Sequence, residues 1–388
     1  MREEMKQDRD YSRQIKNYSG QDKVYSGCAI AAIMDRGKNR FSSEEIVESI
    51  ARMRPRSNGL GGGFAGYGIY PEHKENYALH IFAEDQQAAL DLRDYLDRYF
   101  EVVEERPFEV NESVGLDNRP ELLRFFVQPA VSEIDSGGRF QGKSEEDYIF
   151  ERIMEINSQL DGVYIVSSGK DMGIFKGLGY PEEVAEFYRL DQYSGYLWTA
   201  HGRFPTNTAG WWAGAHPFGL LGRSVVHNGE ISSYGTNSRY VEIFDYKCSM
   251  ATDTEVIAYL LDLLIRRQGI SERLACQALA APLWDKIARL DKPDRGLLKK
   301  LRIIYSDVLL NGPFSIIIAD NDGLTVLNDR IKLRPMVIAE KGNRFYAASE
   351  ESAIRAVVSD PDRVEFPAGG EPVIEKVEAG ELVWQQVN

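Results

Sequence analysis

Residues 28–34, Cys-Ala-Ile-Ala-Ala-Ile-Met, are apolar at every position. A short unbroken apolar run of this kind reads as a fully buried strand, so the chain must build layers around it. The residues before it, 1 to 27, are polar and turn-rich, which places a boundary at Gly27/Cys28. They carry charges of both signs and no apolar core segment, so they are not a secretory signal. After the run, Ser42 or Ser43 caps an expected helix whose apolar positions Ile46, Val47, Ile50 and Met53 recur at helical spacing. A glycine-rich loop, RSNGLGGGFAGYGIYP, then leads into an expected short strand at Tyr67 to Tyr70.

From Glu72 to about Lys143 the pattern is strand (YALHIFA), amphipathic helix, strand (EVVEERPFEV) and strand (LLRFFVQ), closed by a Ser/Gly-rich stretch. This is the outline of a small inserted α+β module at about 72–143. A helix (EEDYIFERIMEIN) and the strands GVYIVSS and GIFKG are expected to return the chain to its main body. Helices follow across Thr254 to Arg267 and Ser271 to Leu290, then strands at FSIIIAD, LTVLND, PMVIAE and RFYAAS. Strand runs mixed with separated helices give an α+β class.

Composition narrows the function. Sixty acidic against 46 basic side chains in 388 residues give a net charge of −14, which argues against a general nucleic-acid binder. No stretch approaches the roughly 18 apolar residues that span a bilayer, and a cytoplasmic protein is the expectation. Three scattered cysteines, Cys28, Cys248 and Cys276, form neither a disulfide framework nor a zinc ribbon. Cys276 and Cys248 read as structural, the former on the apolar side of a helix.

Gly61, Gly63 and Gly66 satisfy GxGxxG in form, but a dinucleotide fingerprint needs a strand before it and a helix after it, and here a loop runs into a strand. The histidines His73, His80, His201, His216 and His227 show no i, i+3 or i, i+4 pairing, so no metal site is expected. Three short segments remain: His201-Gly-Arg-Phe-Pro-Thr-Asn207; Ala215-His-Pro-Phe218 with His227-Asn-Gly-Glu-Ile231 behind it; and Ala251-Thr-Asp-Thr-Glu-Val256. Taken singly, Arg203 reads as a surface ion pair, Asn228-Gly229 as a hairpin turn, and Asp253 as a helix N-cap.

Together, and in this order behind Cys28, the motifs HGRFPTNT, AHPF, HNGEI and TDTEV resemble the class II glutamine amidotransferases, a branch of the N-terminal-nucleophile (Ntn) hydrolases. The spacing from Thr206 to Ile231 resembles the amidotransferase portion of glutamate synthases, and RSNGLGGGFAGYGIY is similar to the family's loop near the substrate. TDTEV is closer to the glucosamine-phosphate synthase and amidophosphoribosyltransferase branches. The resemblance implies a four-layer αββα sandwich and hydrolysis of L-glutamine to glutamate and ammonia.

It also implies roles. Cys28 would be the nucleophile, with its own α-amine as general base once it is the first residue of the mature chain. Asn228 and Gly229 would hold the oxyanion, Arg203 the substrate α-carboxylate and Asp253 its ammonium, with Thr206 and His227 on the substrate side. Because 27 residues precede Cys28, residues 1–27 are expected to be a propeptide, leaving 28–388 as the amidotransferase domain. No cofactor is expected on this chain. Ammonia would pass to a separate synthase subunit of glutamate-synthase type carrying FMN and an iron–sulfur cluster. The alternatives are another acceptor, such as an N-methylglutamate-type synthase, or a non-catalytic glutamine-sensing subunit.

Overall fold

The computed structural model describes residues 27–130, 143–204 and 210–377. Residues 1–26 of the expected propeptide, the Ser/Gly-rich stretch 131–142 and Thr206 therefore lie outside the described residues.

Two antiparallel sheets face each other. The first has seven strands in the spatial order Arg363–Glu365 (β17), Val337–Lys341 (β15), Arg344–Ala348 (β16), Ala29–Asp35 (β1), Leu197–Gly202 (β10), Gly62–Tyr67 (β3) and Met172–Gly177 (β8). The second has five, Phe218–Leu220 (β11), Arg223–Gly229 (β12), Phe314–Asp320 (β13), Gly323–Asn328 (β14) and Val373–Lys376 (β18). The apolar run is β1, at the centre of the first sheet. Its alternate residues explain why none is polar: Ile30, Ala32 and Met34 pack between the sheets with Val226, Ile317 and Val326. Ala29, Ala31 and Ile33 face the other way, into the core that holds Ile46 and Ile50.

Helices cover both outer faces. On the seven-stranded sheet lie α1 (Glu44–Ala51), α4 (Pro181–Phe187) and α10 (Glu351–Val357). On the five-stranded side α6 (Asp253–Leu261) packs on β11 and β12, with α5 (Tyr234–Glu242) against it. Beyond it α7 (Glu272–Leu279), α8 (Trp284–Ala288) and α9 (Lys292–Ile304) pack on one another. This is a four-layer αββα sandwich, the architecture that the sequence resemblance implies. The helix expected over Ser271 to Leu290 is instead two, α7 and α8, with Pro282 in the break, where it has no N–H to continue a ladder.

A further four-stranded antiparallel sheet has the order Phe100–Glu105 (β5), Glu121–Pro129 (β6), Tyr77–Ala83 (β4) and Val163–Lys170 (β7), packed by α2 (Gln86–Tyr99) and α3 (Glu145–Gln159). The bounds 72–143 enclose three of these strands. GVYIVSS, expected to rejoin the main body, is β7 and pairs with β4; only after the turn at Asp171 does β8 enter the seven-stranded sheet beside β3. A two-stranded pairing of Phe41–Ser42 (β2) with Ser194–Gly195 (β9) completes the sheets. No helix among the described residues is long and apolar enough to cross a membrane.

One strand is displaced from its expected place. The glycines of GLGGGFAGYG are not a loop before a strand at Tyr67 to Tyr70; Gly62–Tyr67 is itself β3. Close approach is the reason. A Cβ on Gly63 would lie 2.4 Å from the His216 carbonyl oxygen, and one on Gly66 would lie 2.6 Å from the Trp198 ring.

Candidate active site

The ends of β1, β10, β3 and β12 assemble the site. Cys28 stands immediately before β1, and β10 runs antiparallel to it with Ala29 opposite Gly202, so Arg203 and Phe204 emerge beside Cys28. The Phe204 N–H donates to Cys28 Sγ at 3.4 Å. Burial pushes the Cys28 thiol up; the Phe204 N–H and the Arg203 charge pull it back only in part. Proton removal therefore needs a base.

Arg203 is not a surface ion-pair residue: it is buried, 4% exposed. Its backbone is locked to the glycine loop, with its N–H donating to Gly61 O at 2.8 Å and its carbonyl accepting from Ser57 Oγ at 3.0 Å and Asn58 N at 3.2 Å. This is what brings RSNGLGGG to Cys28.

Asn228 and Gly229 form no hairpin turn. They end β12, paired with Ser315 and Phe314 of β13. Gly229 has φ of 154°, and a Cβ there would meet Pro313 O at 2.1 Å and Phe314 Cα at 2.8 Å, so glycine is required. The Asn228 side chain is fully buried, with Nδ2 3.2 Å from Ser349 Oγ and Oδ1 unpartnered. Ser349 Oγ already accepts from Ile30 N at 3.2 Å. Its hydroxyl proton can go to the carboxamide oxygen of an amide turned over, which leaves Nδ2 without a protein partner. That turn puts Nδ2 where Oδ1 now lies, 3.6 Å from the position of a Cβ on Gly27 and facing the Cys28 end.

Asp253 is the first residue of α6, while the N-cap is Thr252, whose side chain accepts from Glu255 N. Asp253 Oδ2 accepts the Ile231 N–H at 3.1 Å, and Oδ1 lies 3.5 Å from His227 Nδ1. Burial alone would raise its carboxyl, but His227, the Ile231 N–H and Thr254 hold it below the usual value.

The three motif histidines form one buried cluster centred on Thr254. His216 Nε2 lies 2.7 Å and His227 Nδ1 3.1 Å from Thr254 Oγ1, which is 3.2 Å from Asp253 Oδ1. A hydroxyl has one proton, and the carboxylate can only accept, so Thr254 donates to Asp253 and both imidazoles donate to Thr254. His201 Nε2 donates to the His227 carbonyl at 2.9 Å, and its ring stacks on His216 at 4.1 Å. Burial holds His201 neutral, with a pKa pushed down to about 3, and His216 well below its ordinary value. None of the three bonds to Sγ; they brace Asp253 and the backbone ahead of Asn228.

The structure thus brings together Cys28, Arg203, Asn228, Gly229, His227 and Asp253. Thr254 and Ser349 were missed as candidates: the first stood in view inside TDTEV, and the second belongs to no motif. Cys248 is half-buried and Cys276 fully buried on α7, and both are free thiols. Among the described residues no group of three or more His, Cys, Asp or Glu could hold a metal ion.

Comparison with known proteins agrees with this geometry. The family model for class-II glutamine amidotransferases matches residues 102–259, a span that includes all four motifs and begins beyond Cys28. An uncharacterized protein of Archaeoglobus fulgidus is 47% identical over 91% of this chain and 93% of its own length. A Methanothermobacter thermautotrophicus protein with the provisional name glutamine amidotransferase is 25% identical over 89% of this chain and 98% of its own. Among solved structures, the B. subtilis glutamine phosphoribosylpyrophosphate amidotransferase aligns over 91% of this chain and 50% of that one, at 13% identity and a TM-score of 0.36, too distant to add to the topology. The four motifs fall in this order within residues 102–259, so the chain contains a region of the class II glutamine amidotransferase family.

Proposed function

We propose that the chain is the glutaminase subunit of a two-component synthase. The observation that carries this is the convergence of a half-buried cysteine, a buried guanidinium and a braced carboxylate beside the Asn228-Gly229 strand end. Arg203 suits the α-carboxylate of free L-glutamine, since a planar guanidinium can hold it by two bonds, and Asp253 suits its ammonium. His227 backs Asp253, and Thr206 is assigned to the substrate side. Both charged ends of the substrate are thus required, which selects free glutamine over a glutamine residue in a peptide.

Hydrolysis needs Cys28 to be the first residue, through cleavage of the Gly27–Cys28 bond and loss of the propeptide 1–27. Its α-amine then takes the thiol proton, the thiolate attacks the side-chain amide carbon, and Asn228 Nδ2 with the Gly229 N–H stabilises the oxyanion. Collapse returns the proton to the leaving nitrogen, releasing ammonia and leaving a thioester. Water then adds to the thioester, releasing glutamate and the thiol. The acceptor of ammonia is proposed to be a glutamate-synthase-type partner with FMN and an iron–sulfur cluster; the Thr206 to Ile231 spacing supports this choice.

The test is a glutaminase assay on wild type and Cys28→Ala, with and without 2-oxoglutarate and a candidate partner, alongside intact-mass measurement. Activity lost in Cys28→Ala and a mass beginning at Cys28 are expected. Full activity from an uncut chain would overturn the role of the α-amine, and activity retained by Cys28→Ala would overturn the nucleophile.

A further inference from the structure

Charged groups face the Cys28 end from several elements. Arg203 after β10 and Asp253 on α6 are opposite in sign and are matched to the two ends of glutamine. Arg56, after α1, donates its Nε to the Cys28 carbonyl at 3.2 Å, but its charge is offset by Glu350, whose Oε1 lies 2.9 Å from Nη1. His201 is neutral, and His227 is turned to Thr254 and Asp253. Arg334, from the segment between β14 and β15, stands apart. It has no acidic partner among the described residues, and its Nε is buried without a hydrogen bond.

Its guanidinium is nonetheless aimed at the nucleophile. A Cβ placed on Gly27 would lie 3.0 Å from Arg334 Nη1, closer than the 3.4 Å to Arg56 Nη2. The segment that presents it is tied down. The Asp329 carboxylate accepts from Ile331 N at 3.1 Å and Leu333 N at 2.8 Å, Asn328 Nδ2 donates to the Arg334 carbonyl at 2.9 Å, and Ser315 Oγ to that of Pro335 at 3.1 Å. A partly buried cation costs desolvation energy that no acidic group among the described residues returns, unless negative charge or a neutral amine is wanted beside it.

We propose that Arg334 is the electrostatic activator of the Cys28 end, keeping the α-amine freed at Gly27/Cys28 in its neutral form and easing ionisation of the thiol. A nearby cation disfavours an ammonium and favours a thiolate, so one charge serves both halves of the nucleophile. The thiol already feels Arg334 in the lowering direction. The amine half of this proposal rests on the reading of Cys28 as the mature N-terminus; the thiol half does not.

The test compares wild type with Arg334→Met and Arg334→Lys. One arm follows kcat/KM for glutamine hydrolysis between pH 5 and 9.5; the other follows alkylation of Cys28 by iodoacetamide against pH without glutamine. In Arg334→Met both limbs should move to higher pH by about one unit, an approximately ten-fold loss of kcat/KM at pH 7 carried by kcat, with Arg334→Lys restoring the profile. Arg334→Gln serves in the same role if the methionine variant does not fold. Profiles that superimpose on wild type, or a rise in KM alone, overturn the proposal, the latter by making Arg334 a substrate-carboxylate ligand. Intact mass separates the failures: an uncut chain sinks the amine's role, while the alkylation arm still decides whether the charge acts on the thiol.

Discussion

Thr254→Val tests the brace behind the substrate site. Valine preserves the shape and removes one hydroxyl that joins His216 Nε2, His227 Nδ1 and Asp253 Oδ1 at 2.7, 3.1 and 3.2 Å. His227 can fall back on Asp253 Oδ1, already 3.5 Å away. His216 has no such recourse, because its other nitrogen, Nδ1, is also buried and unpartnered. One imidazole N–H fully stranded and one carboxylate partly so, at about 1–3 kcal/mol for each unsatisfied buried group, give a loss of about 2–4 kcal/mol. Urea denaturation reads this directly, with Thr254→Ser as the control that keeps the hydroxyl and costs about 1 kcal/mol for the methyl group. KM for glutamine should rise about ten-fold in the valine variant, as expected if Asp253 loses about 1.4 kcal/mol of orientation. A Thr254→Val protein within about 0.5 kcal/mol of wild type, or indistinguishable from Thr254→Ser, would refute the hydroxyl-centred network.

Two further substitutions or conditions probe neighbouring parts of the design. Gly229→Ala forces a Cβ to within 2.1 Å of Pro313 O at a φ of 154°, so β12 and β13 must part; glutaminase activity should fall by at least about 100-fold as the proposed oxyanion donors move. A variant of near wild-type rate would show that the strand end can yield. Acid should unfold the protein steeply: burial depresses His80 and His201 to about 3 and holds His216 well below its ordinary value. Between that range and the ordinary imidazole pKa near 6.5 the unfolded chain binds more protons, so stability rises with pH there and is lost on acidification. Three such groups give about 4 kcal/mol per pH unit near pH 5, and denaturation at stepped pH showing no steepening below pH 6 would contradict their neutrality.

Much of the site was legible because it is local. His201-Gly202-Arg203, HNGEI and TDTEV each lie at a strand end or helix start, and the unbroken apolar run foretold a strand buried on both faces. The illegible parts depend on distant pairing. Ser349 meets Asn228 across 121 positions, brought there because β16 lies beside β1. Arg334 belongs to no periodic segment, and its meaning rests on what it faces. The glycines of β3 misled because their spacing looks like a turn, whereas the cause is a carbonyl and an indole ring pressed against the strand. Asn228-Gly229 has the composition of a hairpin, yet continued pairing with β13 overrides that local preference.

The place of β1 has a temporal consequence. Its neighbours are β10 on one side and β16 on the other, so the strand that follows Cys28 is made long before its second neighbour. Ribosomal synthesis must run through Ser349 before the nucleophile has a wall on both sides and before Asn228 has its hydroxyl anchor. Any chemistry at Cys28, the proposed cleavage before it included, is therefore deferred until the chain has been made through Ser349, and a chain terminated before that point would hold an inert thiol.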